Sequence, residues 1–151
     1  MKGRAGFLAL GLAILLGGAG LTFTLYHNQT VMIDESYNDQ AVSLVRGDRL
    51  ELTLPGNPST GYSWSYVEVP DEKVLKPEKQ WIGEGSGLVG SPQDYHWEYL
   101  AAGAGETCIK LKYSRSWETR PPARAFSVHV KVASRGERLR GLLNLHPPAE
   151  N

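Results

Sequence analysis

A chain of 151 residues, 41% of them hydrophobic, has room for one ordinary domain with its own core plus an appendage. Sixteen basic residues balance sixteen acidic ones and no lysine-arginine stripe appears, which argues against a nucleic-acid binder. Cys108 is the single cysteine, and His27, His96, His129 and His146 lack ligand spacing, so no internal disulfide, metal centre or cofactor is expected.

Residues 1–26 are a different material from the rest. Lys2 and Arg4 precede an uncharged, largely apolar run from Ala5 to Tyr26. A basic start followed by an apolar stretch is the pattern of an export signal, and Gly17-Gly18-Ala19 offers small residues for cleavage. The run is also long enough to cross a bilayer as an uncleaved anchor helix. Either way the positive-inside rule keeps Lys2 and Arg4 in the cytoplasm and sends the rest out, to a periplasmic or extracellular location.

Residues 27–39 are polar and turn-rich, suited to a tether or an irregular first strand. Strand signals then follow closely. Ala41 to Val45 is short and apolar, Arg46-Gly47-Asp48 turns, and Arg49 to Leu54 alternates with its leucines on one face. The Arg-Gly-Asp tripeptide also matches an integrin-type motif, but between two strands it reads as a turn.

Asn57-Pro58-Ser59-Thr60-Gly61-Tyr62-Ser63-Trp64 connects this strand to the next. Pro58 fixes its own φ and pushes Asn57 toward an extended conformation, while Gly61 can take a positive φ. The result is a shaped tip that loses little entropy on docking. An ordinary strand-connecting turn has the same composition, so the octet alone leaves both readings open.

Tyr62 to Val69 continues as a strand, with Tyr62, Trp64 and Tyr66 on one side. A short element around Lys73 to Lys76 leads through Pro77 to Gln80-Trp81-Ile82, and a glycine-rich loop follows from Gly83 to Gly90. Residues 85–90 formally fit the dinucleotide fingerprint GxGxxG. That motif needs a helix to receive a pyrophosphate, and Pro92 followed by the period-two run Asp94 to Tyr99 supplies none. Loops of such length in compact domains are usually functional or disordered.

Tyr95, Trp97 and Tyr99 line one face of the next strand. Glu106 to Tyr113 follows with Thr107, Ile109, Leu111 and Tyr113 toward the core, and Cys108 on the lysine-bearing face. The connection from Ser114 to Pro122 leads into Phe126 to Val132, the cleanest alternation in the chain. Residues 135–151 form a mixed tail with no activity assigned.

Six or seven short strands between turn signals argue for an all-β, antiparallel β-sandwich over residues 40–134. In such a frame alternate connections gather at one end, so loops 55–62, 83–93 and 114–124 would share a rim. No paired carboxylates and no Ser-His or Cys-His arrangement gather there. An enzyme would need Cys108 with His96 or His129 as a dyad, and nothing local to Cys108 resembles a loop or helix terminus that activates a thiol. No catalytic residue is therefore assigned.

Asn57-Pro58-Ser59-Thr60-Gly61-Tyr62 with Trp64 resembles the Asn-Pro-Thr-Thr-Gly-Tyr/Phe signature of the chagasin-like inhibitors of papain-family cysteine proteases. Arg115-Ser116-Trp117-Glu118 is similar to that family's Arg-Pro-Trp-Glu. The resemblance covers about residues 40 to 133. It implies an immunoglobulin-like sandwich of about seven strands that binds, as a monomer, a papain-family protease. Asn57, Pro58, Ser59, Thr60, Gly61 and Tyr62 would form the central wedge over the catalytic cysteine, with Arg115 and Trp117 as one flank. The family's Gly-x-Gly-Gly falls on Gly90-Ser91-Pro92-Gln93 if alignment follows the next strand, or near Gly83 to Gly87 if it follows glycine density. Ser59 and Ser116 depart from the family's threonine and proline, which leaves a second reading open: an exported sandwich module that binds another envelope or extracellular partner without inhibiting a protease.

Overall fold

The computed structural model describes residues 28–83 and 90–137. Eight strands form two four-stranded sheets packed face to face. They are β1 (Thr30–Ile33), β2 (Gln40–Val45), β3 (Arg49–Gly56), β4 (Ser63–Glu68), β5 (Leu75–Ile82), β6 (Gln93–Ala101), β7 (Gly105–Ser114) and β8 (Arg124–Ala133). One sheet has the order β1-β3-β6-β5 and the other β2-β8-β7-β4. The expected export or anchor helix, residues 1–26, lies outside the described residues.

Alternation decides which side chains fill the space between the sheets. Leu50, Leu52 and Leu54 of β3 and Tyr95, Trp97 and Tyr99 of β6 are at most 3% exposed. From the other sheet Ile109, Leu111, Val128 and Val130 are equally buried. Each such side chain contributes roughly 1.5–3 kcal/mol by leaving water, which makes the frame stiff enough to hold loops in place.

Two expectations need correction. Among the described residues there are eight strands, not about seven, and the sandwich is not wholly antiparallel: β1 runs parallel to β3, and β2 parallel to β8. The cause lies in residues 34–39, where the chain passes from one sheet to the other and reverses. Asp34 caps a single 3-10 turn there, Glu35–Tyr37, and Asn38 accepts from the Ser127 amide at 2.8 Å. Each of the first two strands therefore joins the edge of a different sheet. Side-chain alternation carries no information about strand direction, so this could not be read from it.

The segment 27–39 thus supplies β1 and a short 3-10 turn. β5 begins at Leu75 and contains Pro77, which has no N–H for the ladder. It is tolerated because β5 is an edge strand and its register shifts between Pro77 and Lys79. Arg46-Gly47-Asp48 is a turn: Gly47 has φ 99°, and the buried Asp48 carboxylate accepts from the amides of Val45 (2.9 Å) and Gln29 (3.0 Å).

The ladders fix the poles. Gly56 pairs with Gln93, Ile82 with Tyr95, Ser63 with Ser114, and Tyr113 with Arg124. Loops 57–62, 83–92 and 115–123 therefore all leave the same end of the sandwich. Asn28 and Arg135, hydrogen-bonded to each other at 2.8 Å beside Gly47, lie at the opposite end, where the tail begins. Of the loop spanning 83–93, residues 84–89 lie outside the described residues, as do 138–151 of the tail.

Candidate functional site

The first loop is a single 3-10 turn, Pro58–Thr60, with caps at both ends. Asn57 is extended (φ −141°) and its side-chain oxygen accepts from the Ser59 amide at 3.2 Å and the Ser59 hydroxyl at 2.5 Å. Pro58 occupies the first helical position, where its missing N–H is no loss. Gly61 ends the turn in the left-handed region at φ 78°, and its amide donates to the Pro58 carbonyl at 3.1 Å. The Thr60 hydroxyl donates to the Asn57 carbonyl at 2.6 Å. Ser59 and Thr60 remain exposed at the tip.

The third loop is fastened to the first. Arg115 Nε donates to the Thr60 carbonyl at 3.0 Å while Nη1 pairs with Glu118 at 2.9 Å. The hydrogen bond to Glu118 is the main cause that raises the pKa of Arg115. Its guanidinium also stands 4.5 Å from the centre of the Tyr62 ring. Trp117 lies over Gly61, where a Cβ would collide with the indole, yet 68% of the tryptophan is open to solvent. An indole held at its base and free on top is a ready anchor for a partner. A small hollow of about 70 Å³ lies in the third loop, lined by residues that include Tyr62, Arg115, Glu118 and Pro121.

Among the described residues, one hydrogen bond joins the middle loop to the first. Asn57 Nδ2 donates to the carbonyl of Gly90 at 2.8 Å, and Gly90 has φ 86°. Gly83 instead extends the β5–β6 ladder, its amide donating to Asp94 at 2.7 Å. Of the two alignments left open by the sequence, the one on Gly90 thus puts a described residue against the wedge.

Asn57, Pro58, Ser59, Thr60, Gly61, Tyr62, Gly90, Arg115 and Trp117 accordingly lie together on one rim. Two residues that support it were not singled out from sequence. Tyr113, read only as a core-facing strand residue, accepts from the Asn57 amide at 2.7 Å and stacks on Tyr62 with ring centres 5.3 Å apart. Arg124 packs over Tyr113 at 4.4 Å and Trp64 at 5.2 Å and donates to the Pro55 carbonyl at 2.7 Å. The pairing of Tyr113 with Arg124 across β7 and β8 depends on register, which no local pattern reveals.

The dyad considered for an enzyme does not take an activating form. Cys108 faces His129 in the β7–β8 ladder, within continuous strand, and His129 lies 3.7 Å from Glu106. His96 is on the other sheet, bonded to Thr53 at 3.1 Å and stacked on Trp81.

A family model described as Chagasin family peptidase inhibitor I42 matches residues 43–132. This chain belongs to the chagasin family. The family consists of peptidase inhibitors, not enzymes. Chagasin of Trypanosoma cruzi is 28% identical over 106 residues, covering 66% of this chain and 96% of that protein. Amoebiasin-2 of Entamoeba histolytica is 30% identical over 104 residues, covering 67% and 84%. Among solved structures, the Entamoeba histolytica cysteine protease inhibitor EhICP2 superposes with a TM-score of 0.64 at 27% identity, covering 72% of this chain and 99% of that one. The solution structure of amebosin gives 0.54 at 28% identity, covering 72% and 100%. The eight-stranded sandwich is therefore the chagasin fold, and this member of the family is a cysteine protease inhibitor.

Proposed function

We propose that this chain inhibits papain-family cysteine proteases by steric occlusion. Loops 55–62, 83–93 and 114–124 lie across the active-site cleft, with Asn57 to Tyr62 as the wedge over the nucleophile and Arg115 and Trp117 on one wall. The observation that supports this most directly is the bond from Arg115 to the Thr60 carbonyl, which makes wedge and flank one body. A body already assembled loses little entropy on docking, and a rim of this size suits the roughly 800 Å² per partner of a protease–inhibitor interface.

The sandwich is immunoglobulin-like and acts as a monomer on this reading. Its apolar residues 5–26 serve as an export signal or a membrane anchor, so inhibition takes place in the periplasm or outside the cell. A tether suits the geometry, because Asn28 lies at the pole opposite the three loops and a preceding anchor would leave them clear.

The test is an inhibition assay of the full-length chain, in a mild nonionic detergent, against papain. Tight, reversible, competitive inhibition is expected. No inhibition at micromolar concentration would favour a binding module for another partner.

A further inference from the structure

We propose that Tyr113 is a positioning residue of the inhibitor: its hydroxyl fixes Asn57, and through Asn57 it keeps the first loop in a shape that a protease binds but does not cleave. This rests on the function proposed above and adds to it the reason the wedge survives inside an active site.

Tyr113 sits near the end of β7, only 7% exposed. Its ring is packed by Tyr62 at 5.3 Å, Trp64 at 5.1 Å and the Arg124 guanidinium at 4.4 Å, so the phenol oxygen has little freedom. That oxygen accepts from the Asn57 amide at 2.7 Å and lies 3.5 Å from the Asn57 carbonyl oxygen. Asn57 commits its remaining polar groups to the rim. The side-chain oxygen accepts from Ser59, the side-chain nitrogen donates to Gly90, and the carbonyl accepts from Thr60. One buried hydroxyl thus sets the residue through which the wedge and the middle loop are joined.

Cleavage makes a specific demand. The protease thiolate attacks a carbonyl carbon and the carbonyl oxygen becomes an oxyanion. The C–N bond breaks, the amine leaves with a proton, and water then releases the acyl group as a carboxylate. The oxygen must therefore swing into the oxyanion hole of the enzyme. In the wedge, the carbonyl oxygens of Asn57, Pro58 and Thr60 are already occupied by Thr60, Gly61 and Arg115. Those of Asn57 and Pro58 are released only if the turn opens and that of Thr60 only if it parts from Arg115, and both happen more readily once Asn57 is free to move.

Tyr113→Phe removes the hydroxyl and keeps the ring. The full-length variant should inhibit papain about tenfold more weakly, the expected effect of one lost hydrogen bond to a preorganised loop. On prolonged incubation it should be cut between residues 57 and 61, seen by mass spectrometry, while the native chain stays intact. Asn57→Ala keeps the amide that Tyr113 accepts from but removes the side-chain bonds to Ser59 and Gly90. Because both changes loosen the same turn, it should weaken inhibition too, and the double variant should lose less than the sum of the two single losses. Unchanged inhibition by Tyr113→Phe without cleavage overturns the proposal. So does a loss that adds fully to that of Asn57→Ala and follows the fall in melting temperature, because that is a purely structural effect. A native chain that fails to inhibit papain is a separate result and takes the proposed function down with it.

Discussion

The indole of Trp117 rests on Gly61: a Cβ at residue 61 would lie 3.0 Å from Cζ2 of the ring and closer still to Cη2. Glycine is thus required there twice, once for its φ of 78° and once for the absence of a side chain under the ring. Gly61→Ala should lose about 1–2 kcal/mol of stability from the left-handed backbone alone. It should also lift Trp117 off its seat and weaken inhibition by at least about tenfold. Thermal unfolding and titration of papain activity measure the two effects. A variant with native stability and native inhibition would show that the indole does not sit on this residue.

Trp117 itself should separate binding from folding. Because it is 68% exposed, Trp117→Ala should leave stability within about 0.5 kcal/mol of native. As an interface anchor it should cost about 2 kcal/mol or more of binding, roughly a thirtyfold rise in the inhibition constant. An unchanged inhibition constant would place the contact surface elsewhere.

Arg115 joins the Thr60 carbonyl, the Glu118 carboxylate and the face of Tyr62 at once. Only a planar guanidinium reaches all three in fixed directions, so Arg115→Lys is not conservative here. It should weaken inhibition severalfold, mostly through a faster dissociation rate, because the two loops must then be ordered by the protease. Surface plasmon resonance on immobilised papain resolves the rates. A change confined to association would instead point to electrostatic steering.

How far the sequence could be read depended on whether a feature was imposed locally. Leu50, Leu52 and Leu54, or Tyr95, Trp97 and Tyr99, announce their strands because one buried face forces a period of two. β1 is hidden for the same reason reversed: of its four residues only Ile33 is buried, and Met32 is 69% exposed. Pro77 disguised β5, since proline ends most ladders and is harmless only on an edge. At the rim, the turn residues Asn57, Pro58 and Gly61 were legible because each constrains its own backbone. Tyr113 and Arg124 were not, because their roles arise from register between β7 and β8 and from a bond across 56 residues of chain. The same rule explains the parallel pairs, since where a strand docks after changing sheets is decided by edges that local sequence does not encode.

At the edge of the core, the hydroxyls of partly buried Tyr66 and fully buried Tyr99 hydrogen-bond each other at 2.8 Å. Burial raises the pKa of both. For Tyr66 the bond to Tyr99 works partly against this, whereas for Tyr99 the neighbouring Tyr66 adds to it. Unfolded tyrosine ionises near pH 10, and the folded pair keeps its protons above that. The stability this contributes is therefore complete below about pH 10 and is lost as pH rises through and beyond it, because only the unfolded chain gains by releasing those protons. The melting temperature should hold steady to about pH 9 and then fall. Tyr66 and Tyr99 should hold their protons above pH 10 for as long as the protein stays folded. Tyr66→Phe should cost about 1–3 kcal/mol at neutral pH by leaving the Tyr99 hydroxyl without its partner. It should leave papain inhibition unchanged, because the pair lies below the rim and makes none of its contacts. Ionisation of Tyr66 and Tyr99 near pH 10 in the folded protein would show that water reaches this pair.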